Sequence, residues 1–119
     1  MQKVMLVEDD ATMVGLLNIL LEMEGFGVVK MLEDDPDQIL ETIRKEQPAI
    51  ILMDVHLRQT NGLDLLSRIK DQPEMKTVKI LMSSGIDFQE ECTKAGADGF
   101  ILKPYMPDAL IQQIRQLAA

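Results

Sequence analysis

Five short apolar runs, each followed by a stretch of helical spacing, constrain this chain more than any other feature. "KVMLV" (3–7), "GVVKML" (27–32), "AIILM" (49–53), "VKILM" (78–82) and "GFIL" (99–102) have strand length and strand character. Between them the apolar period changes. Met13, Leu16, Leu17, Leu20, Leu21 and Met23 recur at helical spacing from Ala11 to a stop at Gly25. Asp35-Pro36 supplies a cap and a first-turn proline before Ile39, Leu40 and Ile43. Leu65, Leu66 and Ile69 mark a helix from about Gly62 to Lys70, and Leu110, Ile111, Ile114 and Leu117 one from Pro107 to Leu117. Residues 87–95 offer only Phe88, Cys92 and Ala95 for burial, so this fourth helix is expected to be the least firmly packed.

Five such units predict one α/β domain over residues 1–119, a parallel sheet with helices on both faces. Parallel strands need crossovers, and those crossovers are right-handed. Ligands of such sheets bind at the carboxyl ends of the strands. That rule gathers Glu8, Asp9 and Asp10, then Asp54, Ser83-Ser84 and Lys103-Pro104 onto one edge.

Charge narrows the partners. A net charge of −8 argues against nucleic acid and against an anionic membrane, which attract clustered Lys and Arg. A protein or a cation is expected instead. The single Cys92 forms no internal disulfide, acidic residues begin too early for a signal peptide, and no apolar stretch is long enough to span a bilayer. The chain reads as cytoplasmic.

Taken singly, the edge residues have plain explanations: "EDD" as a helix cap, Ser83-Ser84 as a turn. Taken together, carboxylates crowded on one edge raise each other's pKa and call for a compensating cation. Oxygen ligands fit Mg²⁺, while a lone His56 and a remote Cys92 give no zinc set.

These residues resemble the receiver domain of two-component response regulators through "LVEDD" (6–10), "LMD" (52–54), "LMSSG" (81–85) and "LKP" (102–104). The resemblance implies a flavodoxin-like (βα)5 fold with strand order 2-1-3-4-5. It implies that Asp54 accepts a phosphoryl group from a histidine kinase or phosphotransfer protein, and that Glu8, Asp9, Asp54 and the His56 backbone carbonyl hold Mg²⁺. Ser83 becomes the switch hydroxyl, Lys103 the phosphate-contacting ammonium, Lys103-Pro104 a cis peptide and Phe100 the switch aromatic. The surface of the fourth helix, fifth strand and fifth helix then serves a partner or output domain.

The chain departs from the family pattern in places. Leu57 and Arg58 stand where Met-Pro is common, which loosens the loop's backbone restraint, and Gly62 keeps the usual glycine. The fifth helix lacks the dense charge pattern of receivers that dimerise through that surface. Two other readings compete. A phosphatase of the haloacid dehalogenase type needs a second aspartate where His56 stands. A receiver-like interaction module would not cycle phosphate at all.

Overall fold

The computed structural model describes residues 1–31 and 35–119. The elements follow the alternation: β1 Lys3–Val7, α1 Ala11–Met23, β2 Gly27–Met31, α2 Pro36–Glu46, β3 Ile50–Asp54, α3 Gly62–Lys70, a 3₁₀ turn Pro73–Met75, β4 Lys79–Ser84, α4 Gln89–Lys94, β5 Gly99–Leu102 and α5 Pro107–Ala118. The strands pair in parallel in the order β2-β1-β3-β4-β5. This is the flavodoxin-like order.

Successive strand residues face opposite sides of the sheet, and the core divides accordingly. Val4, Leu6, Ile50, Leu52, Leu81 and Ile101 pack against Val14, Leu17 and Leu21 of α1 and Leu110, Ile111 and Ile114 of α5. Met5, Val7, Ile51, Met53, Ile80 and Met82 pack against α2, α3 and, through Cys92, α4. Strands apolar on both faces are what a doubly covered sheet requires.

Local chemistry sets the helix starts. Asp10 accepts the Thr12 and Met13 N–H groups, Asp35 that of Asp37 ahead of Pro36, and Asn61 that of Leu63. Gly25, at φ +89, lets the chain leave α1 into β2.

Three elements differ in their bounds from the sequence reading. β3 and β4 each extend further, so Asp54, Ser83 and Ser84 are the last residues of strands rather than the loops beyond them. Asp54 is only 8% exposed. The fourth helix keeps six residues, with Phe88 as its cap. Leu32, expected to end the second strand, lies outside the described residues. In α1 only one stripe is buried, leaving Leu16 and Met23 exposed although their spacing suggested the core.

Candidate functional site at the carboxyl edge of the sheet

The site begins with where the strands stop. Glu8 follows β1 directly, Asp54 closes β3, Ser83 lies beside it in register on β4, and Lys103 follows β5. Lys103 is fixed at its backbone, where its N–H donates to the Ser84 carbonyl at 2.8 Å, and the Lys103-Pro104 peptide is cis.

Its ammonium lies 2.7 Å from Asp54 Oδ2 and 3.1 Å from Glu8 Oε2. The second oxygen of Asp54 accepts the His56 N–H at 3.0 Å, and that of Glu8 accepts the Asp10 N–H at 3.2 Å. Burial pushes the Glu8 carboxyl above its ordinary pKa, more than the Asp10 N–H and Lys103 pull it down. Burial alone would lower Lys103, yet the Asp54 hydrogen bond and the charges of Asp54 and Glu8 outweigh it and leave the ammonium harder to deprotonate.

Asp9 turns elsewhere, accepting the backbone N–H of Arg58. Among the described residues, no group of three His, Cys, Asp or Glu side chains is placed to hold a metal ion. Glu8 and Asp54 lean on Lys103, and Asp9 leans on the loop. The donor chemistry itself, carboxylate and carbonyl oxygen on one edge beside a single ammonium, suits a hard cation such as Mg²⁺.

The loop from Asp54 to α3 is built by close approach. The Gly62 N–H donates to the Val55 carbonyl at 2.8 Å, and His56 bridges Asn61 across the loop. A Cβ on Gly62 would meet the Asp54 carbonyl oxygen, and would lie 2.7 Å from Val55 Cα. Only glycine lets α3 start there.

Ser83 is buried, and Phe100, paired with Met82 in register, is half-buried against the α2–α3–α4 side of the core. The structure therefore brings Glu8, Asp54, Ser83 and Lys103 together, while Asp10 caps α1. His56 is exposed, its ring meeting Phe88 edge-on at 5.4 Å between centroids. Two contacts escaped the sequence reading. One is the His56–Phe88 pair, for which the sequence carries no local signal. The other is the Arg58 N–H on Asp9; the signal for it was the absence of proline, which frees a donor.

A five-stranded parallel sheet of this order, with carboxylate, hydroxyl and ammonium on one edge, defines the receiver class. The chain belongs to the response regulator receiver domain family, whose model matches residues 4–115. It is therefore a domain of two-component signalling. It is 32% identical over 118 residues to the transcriptional regulatory protein CpxR of Escherichia coli K12, covering 98% of this chain and 49% of CpxR. It is 28% identical over 114 residues to the DNA-binding response regulator MtrA of Mycobacterium tuberculosis H37Rv, covering 96% of this chain and 49% of MtrA. The chain thus spans about half the length of these relatives. Among solved structures, the BeF3-activated N-terminal receiver domain of Klebsiella pneumoniae RstA superposes with a TM-score of 0.86 at 26% identity, over 98% of both chains. A CheY-like receiver domain protein from Methanospirillum hungatei JF-1 gives 0.87 at 26% identity, over 99% of this chain and 94% of that one.

Proposed function

We propose that Asp54 accepts a phosphoryl group from a histidine kinase or phosphotransfer protein, and that the domain then acts on a partner or output domain through α4, β5 and α5. The observation that carries this reading is the Lys103 ammonium at 2.7 Å from Asp54. Phosphoryl transfer asks the protein mainly to position the group and to neutralise charge spread over its oxygens. Lys103 supplies a fixed positive charge beside the attacking carboxylate. Ser83, alongside Asp54 in register, supplies a hydroxyl that can turn to a phosphoryl oxygen.

Glu8, Asp9, Asp54 and the His56 carbonyl are the residues we assign to Mg²⁺. When bound, Mg²⁺ would neutralise phosphoryl charge and favour ionised carboxylates. The domain is a signalling acceptor in the cytoplasm whose only catalysis is its own phosphorylation and dephosphorylation. With a net charge of −8 the domain itself is not a direct binder of nucleic acid; MtrA, named a DNA-binding response regulator, extends beyond the half that this chain matches.

Intact mass after incubation with a small acyl phosphate tests this, with Mg²⁺ and with chelator. One phosphoryl group is expected on the wild type with Mg²⁺, little with chelator, and none on Asp54→Asn. Equal labelling of wild type and Asp54→Asn would overturn it.

A further inference from the structure

The two ends of α4 meet different parts of the molecule. At its amino end the cap residue Phe88 meets the His56 ring at 5.4 Å between centroids, and the His56 N–H donates to Asp54 Oδ1. Its carboxyl end runs to the opposite edge of the sheet, where Asp98 precedes β5 and faces Ile80 near the start of β4. There Asp98 Oδ2 accepts both the Lys70 ammonium at 2.9 Å and the Ile80 N–H at 2.8 Å. We propose that the Lys70–Asp98 pair is the pivot of the switch, so that phosphate on Asp54 turns α4 about its carboxyl end and displaces mainly its amino end. The pivot rests on the reading of Asp54 as the phosphoryl acceptor.

Three observations carry it. First, one carboxylate oxygen takes two charge-assisted bonds, and the side chains of Lys70 and Asp98 are only 22% and 25% exposed, so water is a poor substitute for either partner. Second, the pair joins α3, β4 and the turn after α4. Lys70 is the last residue of α3, the Asp98 N–H donates back to the Ile80 carbonyl at 2.9 Å, and a Cβ on Gly96, at φ +103, would lie 3.2 Å from Lys70 Cγ. Third, the last turn of α4 is continuous with this anchor. The Gly96 N–H donates to the Thr93 carbonyl and the Ala97 N–H to that of Cys92, whose buried side chain lies in the half of the helix nearer the pair. Asp54 and Ser83, which phosphate would disturb, lie at the other edge. Six residues at about 1.5 Å each give an arm of roughly 9 Å, enough for a small rotation to re-aim Phe88 and the exposed Ile86.

Residual dipolar couplings of the backbone amides in the full chain, with Mg²⁺ and with or without beryllofluoride as phosphoryl mimic, read the direction of each segment. In the wild type the couplings of residues 89–94 should change on saturation while those of 95–98 stay constant. Lys70→Met keeps the stem beneath Gly96 and loses the ammonium; Asp98→Asn keeps an acceptor for the Ile80 N–H and loses the charge. In either variant residues 95–98 should change as well. Constant couplings in α4, residues 95–98 that turn with the helix in the wild type, or variants that respond as the wild type does overturn the pivot and leave Asp54 standing as acceptor. No response of Asp54 and its neighbours to beryllofluoride removes both. If a variant fails to fold, the other variant and the wild type decide.

Discussion

Lys103 Nζ lies 2.7 Å from Asp54 Oδ2 at the end of the central strand, and both side chains are largely buried. If Asp54 accepts phosphate as proposed, a lysine so placed would neutralise it beforehand and need no rearrangement to meet the charge that develops. Removing it should leave Asp54 and Glu8 facing each other without a counter-charge. We expect Lys103→Met to label about 10²-fold more slowly with an acyl phosphate, the scale of one preorganised electrostatic contact. Lys103→Arg should restore little, since a planar fork does not occupy the place of a compact ammonium between two carboxylates. Rates from timed intact-mass spectra check both, with circular dichroism confirming the fold.

Glu8 gives a pH signature. Burial holds its folded pKa above the ordinary 4.5, so ionising it costs stability; that cost is absent below 4.5 and complete above the folded pKa. In chelator, Glu8→Gln should therefore melt higher than wild type at pH 7, with the difference vanishing as the pH falls below 4.5. Lys103 does not interfere, because its raised pKa makes its contribution disappear only above 10.5. Scanning calorimetry across this range is the check. A difference that does not change with pH would count against the burial of Glu8.

Gly62 and Gly85 separate close approach from mere sequence position. A Cβ at 62 would crowd the backbone of Asp54 and Val55, whereas nothing lies within 4 Å of one at 85. Gly62→Ala should cost about 1–3 kcal/mol, as overpacking does. Gly85→Ala should stay within about 0.5 kcal/mol of wild type. Urea unfolding of the two variants side by side measures it.

The switch prediction concerns Ser83 and Phe100. Phe100 has no hydroxyl to satisfy, so its half-buried position against the core strands no polar group. Drawing the Ser83 hydroxyl toward phosphate should let the ring move further in, and α4, with six residues and only Cys92 fully buried, is the element free to follow. Ser83→Ala should still accept phosphate yet show reduced NMR shifts over residues 86–106 on adding beryllofluoride. Wild-type shifts confined to the Asp54 loop would contradict this route.

The fold was legible because the inner strands are apolar on both faces and helix starts such as Asp35-Pro36 carry their own signal, whereas α4, which begins at Phe88 without a side-chain cap, carries little. Strand ends were less legible. Asp54, Ser83 and Ser84 are polar, and polarity reads as loop, yet the parallel ladder continues through them because their backbones still pair. Leu16 and Met23 misled for a different reason: α1 is apolar around much of its circumference, so spacing alone could not say which stripe meets the sheet. The site residues were placed on one edge by topology, but the pairing of Lys103 with both Glu8 and Asp54, and of Asp9 with a backbone amide, depends on side-chain directions that no sequence pattern encodes.

The central claim is that Asp54, and no other carboxylate on this edge, takes the phosphoryl group. Reductive trapping with borohydride converts an acyl phosphate to the corresponding alcohol, which peptide mass mapping then locates. After labelling with an acyl phosphate and Mg²⁺, the mark should fall on residue 54 alone. A mark on Glu8, Asp9 or Asp10, or spread among several carboxylates, would contradict the account.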